Sequence, residues 1–201
     1  MRSGGDKTRQ RVQLEALKLF TAKQYDQVTY RDLENATGLS RGAILYHIKN
    51  KETLFREIVG IFVFKNNTLT SLEDSQRRTL KDTIDNFMDQ LSREQKHWKK
   101  DGITNINYAL VNIQMSAYSL FPDSLEYAKN WYDREIAIWR EVIENAISSG
   151  EIRKVDPTIF AEIFEDIYLG AAYAGLPEED GYNVERVRHK LHALYGAIQK
   201  N

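Results

Sequence analysis

The chain has 201 residues, 42% of them apolar and 28% charged, with a formal net charge of −1. That is the composition of a folded protein rather than a disordered one. It has no cysteine, which excludes disulfides, thiolate metal sites and cysteine nucleophiles and fits a reducing compartment.

The charge is uneven along the chain. Residues 1–55 carry ten Lys/Arg against six Asp/Glu, a balance of +4, and the remaining residues have a balance of −5. A basic module on an acidic body is expected where only the first part meets phosphate. The opening MRSGGDKTRQ is charged and Gly-rich with no apolar run behind it, so no secretory signal is expected. The apolar run around Gly60–Phe64 is far too short to span a membrane. A cytoplasmic location is the expectation.

Asp6 or Thr8 is placed to open the first helix, whose apolar stripe Val12, Ala16, Leu17, Leu19 and Phe20 recurs at helical spacing. Tyr25 and Val28 follow on a short connection. Thr29 can then N-cap a second helix, with Asp32 in its positive first turn. Leu33 and Ala36 give that helix an inward side, and Thr37-Gly38-Leu39 form a turn in which Gly38 tolerates a positive φ. Ser40 can cap a third helix running through Arg41, Ala43, Tyr46 and His47 to Ile48, and Asn50 caps the next. Two helices around a short glycine turn are a helix-turn-helix pattern, which presents its second helix to the DNA major groove. An ordinary helical hairpin is the competing reading.

Lys51 to about Leu69 reads as a long helix, with Asn66-Asn67-Thr68 marking its end or a kink. Thr79–Leu91 supplies Leu80, Ile84, Phe87, Met88 and Leu91 at helical spacing, and the polar run Arg93–Gly102 reads as a loop. Ile103–Leu120 and Leu125–Ser149 are the next helices, separated by Phe121-Pro122-Asp123-Ser124. Asp156-Pro157 opens a helix to Tyr173–Ala174, and Asn183 caps the last. No strand-like alternation is present, so the expected fold is all-α.

The ordered residues Ala16-Leu17-Lys18-Leu19-Phe20, Tyr25, Thr29, Leu33, Gly38-Leu39-Ser40-Arg41-Gly42 and His47 to Phe55 resemble the DNA-binding domain of TetR-family transcriptional regulators. The resemblance covers about residues 9 to 58. The chain departs from the family at Gln24 (usually Gly), Val28 (commonly Thr), Glu34 and Thr37 (usually Ala), Leu45 (usually Tyr) and Ile48 (usually Phe). It implies a three-helix helix-turn-helix domain at residues 1–55 and a helical ligand-binding and dimerisation domain at 56–201.

Within the first domain the resemblance implies phosphate contacts from Thr29, Tyr46, His47 and Lys51, whose donors suit that role. Ser40 stands with them at the start of the reading helix. Arg41 and Arg31 are assigned to base edges or the groove, since a guanidinium can hold guanine bidentately. Ala43 is placed to meet a thymine methyl. Around Trp139–Asp156 the chain again resembles the family, implying a homodimer through about residues 156–174 and 183–199 with Gly170-Ala171-Ala172 and Ala174 allowing close approach. Burial within one subunit is the alternative.

A regulator of this kind needs a site for its signal. Tyr108, Gln114, Tyr118, Trp131 and Trp139 combine flat apolar surface with a few polar atoms, as small-ligand sites do, although aromatics at helical spacing also serve as core. Glu162, Glu165 and Asp166 can hold a cation if turned inward and otherwise form a solvated face. His189 and His192, with Glu185 one turn earlier, have metal-ligand spacing but more often decorate a surface helix. No P-loop, G-x-S-x-G or G-x-G-x-x-G occurs, so neither catalysis nor a cofactor is expected. The expectation is a repressor of a palindromic double-stranded operator, released by a small-molecule effector. The alternative is a DNA-binding or adaptor protein of the same fold controlled by protein contacts.

Overall fold

The computed structural model describes residues 4–63 and 69–200. Among these residues the chain is all-α, as expected. Its helices are α1 (Gly4–Ala22), α2 (Tyr30–Thr37), α3 (Arg41–His47), α4 (Lys51–Phe62), α5 (Leu80–Lys100), α6 (Ile106–Leu120), α7 (Asp123–Ser149), α8 (Pro157–Ala174) and α9 (Val184–Ile198). An isolated antiparallel bridge joins Ile152 and Gln199. The helix end or kink expected at Asn66-Asn67-Thr68 lies outside the described residues.

Two compact units form. The first takes residues 1–66 together with 108–124, and the second takes 67–107 and 125–201. The reading head expected at 1–55 therefore shares its unit with α4 and with most of α6, which arrives from far along the chain.

In the first unit Val12, Ala16 and Phe20 of α1, Leu33, Ile44, and Leu54, Phe55, Ile58 and Val59 of α4 are all buried. They are joined by Ala109, Ile113 and Ala117, one face of α6 at i, i+4 and i+8. Phe55 sits at the middle, its ring 4.8 Å from Phe20, 5.0 Å from Tyr25 and 6.0 Å from Phe121. The carbonyls at the end of α1 find a donor on α6. Asn112 Nδ2 donates to the carbonyls of Phe20 and Lys23 at 2.9 and 3.1 Å, supplying partners that the last turn of a helix lacks.

The second unit packs α5, α7, α8 and α9 around Phe87, Trp139, Ile143, Phe164, Tyr168 and Leu191. The starts of α5, α8 and α9 lie where the sequence places them. Thr79 Oγ1 accepts the Asp82 amide at 3.0 Å, Asp156 Oδ1 accepts the amides of Thr158 and Ile159, and Asn183 Oδ1 accepts that of Arg186.

Several boundaries differ from expectation. α4 ends at Phe62 rather than near Leu69, and α7 starts at Asp123 rather than Leu125. Residues 93–100 continue α5 instead of forming a loop, because the run has no Gly or Pro and consists largely of good helix formers. The stop comes at Asp101–Gly102, where Gly102 takes φ +87°. α6 starts at Ile106, three residues later than expected. Asn105 is used instead to close α8, its Nδ2 donating to the carbonyls of Gly175, Leu176 and Glu178 at 2.9, 3.2 and 2.7 Å.

That closing turn brings backbone against backbone. A Cβ at Gly175 would lie 2.5 Å from the Tyr182 amide nitrogen, a clash no rotamer change relieves. Gly175→Ala is therefore expected to lower unfolding free energy by about 1–3 kcal/mol in urea titrations. In contrast, Gly60→Ala, inside α4 with nothing within 4 Å of the added carbon, is expected to raise it by roughly 0.5–1 kcal/mol.

Candidate functional site

The candidate nucleic-acid interface is built on two capped helices and the glycine turn between them. Thr29 and Asp32 form a reciprocal capping box at the start of α2. Asp32 Oδ2 accepts both the Thr29 amide (2.8 Å) and its hydroxyl (2.6 Å), and Lys23 Nζ pairs with Asp32 at 3.0 Å. The Thr29 hydroxyl, followed by its amide and then Lys23, holds the Asp32 carboxyl well below the usual range. Gly38 takes φ +67°, the left-handed conformation a residue with Cβ resists. Ser40 Oγ then accepts the Ala43 amide at 3.3 Å and opens α3.

The residues that depart from the family pattern have work to do here. Glu34 Oε1 accepts the amide of Arg41 at 2.7 Å, so it satisfies a donor at the first turn of α3. Thr37 is buried, donates its hydroxyl to the Leu33 carbonyl at 2.6 Å and accepts the Leu39 amide. Gln24 needs no positive φ, standing at −61° and 152°. Its amide group donates to Asn112 Oδ1 at 2.6 Å and accepts from Ser116 Oγ at 2.9 Å. Ile48 is buried and Leu45 is exposed.

Of the DNA-contact candidates, Thr29, Arg31, Ser40, Arg41 and Tyr46 are exposed, while Ala43, His47 and Lys51 are half-buried. Tyr46 stands 85% exposed and meets His47 edge-on at 5.2 Å. The guanidinium of Arg41 lies over the Tyr30 ring, 4.4 Å from its centre. Lys51 is differently placed from a simple phosphate donor. Its ammonium donates to the carbonyls of Tyr25 (3.0 Å) and Val28 (2.9 Å) and lies 4.0 Å over the Tyr25 ring. Burial lowers its pKa, since a desolvated ammonium is disfavoured. Thr29 likewise has its hydroxyl hydrogen committed to Asp32.

Tyr30 was not singled out by the sequence. It supports Arg41 with its ring and accepts the Lys51 amide with its hydroxyl at 3.1 Å. The signal available was an aromatic at the first position of a helix otherwise polar on its outer side.

The ligand-contact candidates divide between the units. Tyr108 (49% exposed), Gln114 and Tyr118 lie on α6 in the first unit, and Trp131 and Trp139 lie on α7 in the second. Trp131 is half-buried, and Trp139 is fully buried against Phe164 (5.1 Å, stacked) and Phe87 (5.7 Å, edge-on). Glu162 and Asp166 are solvated, but Glu165 is not. It is 0% exposed and accepts the Trp139 indole N–H through Oε2 at 3.1 Å. Its Oε1 has no hydrogen-bond partner among the described residues. Burial, reinforced by the acids Glu135 and Asp166, pushes Glu165 up to about 8. Glu135, also fully buried, accepts the amides of Leu69 and Thr70 at 3.0 and 3.3 Å.

The histidine pair is not assembled as a ligand set. His192 Nε2 lies 2.8 Å from Asp85, Glu185 pairs with Arg188, and His189 is exposed. Among the described residues no group of three or more His, Asp or Glu is placed to hold a metal, and no helix is long and apolar enough to cross a membrane.

A capped helix-turn-helix on a helical body defines a class of protein, and comparison with known proteins narrows it. Residues 15–58 match the family described as bacterial regulatory proteins, tetR family. The chain is 45% identical over 56 residues to the HTH-type transcriptional repressor AcnR of Corynebacterium glutamicum, which is 26% of this chain and 30% of that protein. The chain thus spans under a third of the length of that curated relative. Its fold is similar to that of the TetR family regulator PfmR from Thermus thermophilus (TM-score 0.66, 21% identity, 94% of this chain and 100% of that one). It is also similar to a transcriptional regulator from Saccharomonospora viridis in complex with choline (TM-score 0.66, 17% identity, 98% and 100%). Residues 15–58 are thus the segment similar to the tetR family, and beyond it the likeness is one of fold.

The position of Glu165 has a consequence for stability. An unfolded glutamate releases its proton near 4.5, whereas the folded one holds it to about 8. Between those values the folded state binds more protons, so stability is greatest below the window and falls as pH rises through it. Urea unfolding at pH 5, 7 and 9 is expected to show a decline of roughly a few kcal/mol in the wild type, and Glu165→Gln is expected to remove most of it.

Proposed function

We propose that this chain is a homodimeric, DNA-binding transcriptional repressor that leaves its operator when a small molecule occupies the helical body. The observation that carries this reading is α3, capped at both Ser40 and Glu34, presenting Arg41 and Tyr46 outward from a buried three-helix support within the segment that matches the TetR family. The AcnR relative is a repressor, which supports that direction of control.

Arg41 and Arg31 are assigned to base edges and Ala43 to a thymine methyl. Ser40, Tyr46 and His47 are assigned to phosphate. Thr29 and Lys51 retain a place at the interface chiefly by positioning α2 and α4, because their side-chain donors are already engaged internally. Release requires that the effector bind one conformer of the dimer more tightly than the other, since equal affinity shifts nothing. Of the ligand-contact candidates, Trp131 and Trp139 on α7 of the second unit are proposed as effector contacts, while Tyr108, Gln114 and Tyr118 belong to the first unit. The choline-bound neighbour supports a small molecule as the signal, and a cytoplasmic location follows from the role.

Dimerisation is assigned to α8 and α9. Ile159 (50% exposed), Ile163 and Tyr173 (76% exposed) stand with Gly170 along the outward side of α8. On α9 the exposed positions include Ala193, Gly196 and Ala197, small enough for close helix approach. Exposed isoleucines at i and i+4 are the pattern of an interface stripe.

The test is titration of the purified protein against DNA flanking its own gene at two salt concentrations. Specific, salt-weakened binding is expected, and Arg41→Ala and Tyr46→Ala should each weaken it about tenfold or more with unchanged circular dichroism. Unchanged affinity in both variants would remove α3 as the reading helix. Sedimentation is expected to show a dimer, and Ile163→Asp a monomer that retains its helical content. A dimer that survives Ile163→Asp would move the interface off α8.

A further inference from the structure

Arg41 is held twice by one side of α2. Tyr30 and Glu34 are four residues apart on that helix and so share a face. Glu34 Oε1 accepts the Arg41 amide at 2.7 Å, which fixes the backbone at the first turn of α3. Tyr30 supplies the second hold, its ring centre 4.4 Å from the guanidinium carbon. Among the described residues no carboxylate pairs with that guanidinium, and Arg41 is exposed.

The ring is itself tethered. Tyr30 is half-buried, and its hydroxyl accepts the Lys51 amide at 3.1 Å. The first residue of α2 thus touches the first residue of α3 and the first of α4.

This contact suits an arginine that reads a base. The attraction is to the quadrupole of the ring rather than to a hydrogen-bond acceptor, so the guanidinium is located without pairing its planar fork of N–H donors with an oxygen. A guanine edge in the major groove needs that fork, because its O6 and N7 accept two parallel N–H bonds. A free arginine gives up the freedom of several torsions to make such a contact. One already laid on a ring has less to lose.

We propose that Tyr30 is a positioning residue for base readout: by holding the Arg41 guanidinium over its ring, it sets a preference of α3 for one guanine in each half-site. This rests on the reading of α3 as the DNA-contacting helix and names the base that helix selects. Tyr30 acts through Arg41 and itself meets no base. The hydroxyl keeps the ring in place, and the ring carries the effect.

The experiment is selection of bound duplexes from a pool with a randomised core, using the full chain as wild type, Arg41→Ala, Tyr30→Phe, Tyr30→Leu and the double variant Tyr30→Leu/Arg41→Ala. Each is first checked for unchanged circular dichroism, and Tyr30→Gln, which also removes the ring, replaces Tyr30→Leu if that variant does not fold. The wild type is expected to enrich a two-fold motif with guanine at one position of each half-site, and Arg41→Ala to lose that preference about tenfold. Tyr30→Leu should weaken the same preference about threefold and leave the other positions of the motif as they were. Tyr30→Phe, which keeps the ring, should retain it. In the Arg41→Ala background Tyr30→Leu should cost nothing further at that position, as befits a residue acting through the arginine. A purely structural role for Tyr30 would instead lower affinity for all sequences alike. A motif with no guanine that depends on Arg41, an unchanged guanine preference in Tyr30→Leu, an equal loss in Tyr30→Phe, or a uniform loss at every position would overturn this inference and leave the repressor standing. A pool from which the wild type enriches no sequence would overturn the repressor reading, and this inference with it.

Discussion

The first unit depends on how the C-terminal end of α1 is satisfied. A helix leaves its last carbonyls without partners, and here the turn that follows must also deliver α2 and α3 at a fixed angle. Asn112 donates to the carbonyls of Phe20 and Lys23, Gln24 joins Asn112 to Ser116, and Ser116 Oγ accepts the Tyr25 amide at 3.2 Å. Asn112 and Ser116 are one turn apart on α6, and both are buried. The link is polar and directional, so a small rotation of α6 would break several hydrogen bonds together. The apolar packing around Phe55 could slide by comparison with less loss. A buried polar network of this kind specifies one arrangement more sharply than hydrophobic contact does.

The same logic explains why the interface is quiet where the sequence suggested free donors. Lys51 closes the carbonyls of Tyr25 and Val28, and Thr29 closes a box with Asp32. Both residues stand where phosphate donors are useful, yet in this chain their first task is to hold the turn and the two helix starts. The exposed groups that remain, Arg41 and Tyr46 above all, then project from a support that does not have to rearrange. That is preorganisation: the ordering cost of this exposed surface is met by folding rather than by a binding partner.

Much of this was legible in the residues. Thr29, Ser40, Asn50, Thr79, Asp156 and Asn183 all cap the helices their types announce, because a short side-chain oxygen before a helix has a local job that needs no tertiary context. What was not legible is long-range. A polar run such as residues 93–100 shows no strong apolar period, so its helix rests on propensity and on continuation of α5 rather than on an apolar stripe. Asn112 and Ser116 look like interruptions of an apolar segment until α1 is beside them. Glu34 looks like a misfit at a small-residue position until its carboxylate is seen on the Arg41 amide. Glu165 reads as one of three solvated acids on α8, and nothing local distinguishes it from Glu162 or Asp166.

Glu165 is also where the second unit departs most from what stability alone would select. A leucine there would pack among Trp139, Phe164 and Tyr168 without a desolvation cost, and buried charges are commonly replaced by apolar residues at no loss. The Trp139 indole offers one hydrogen bond in return, while the nearby Glu135 and Asp166 act against ionisation. The two units thus use buried polar groups in opposite ways. In the first, the polar groups at the end of α1 are matched and the geometry is held; in the second, Glu165 Oε1 is left without a donor among the described residues.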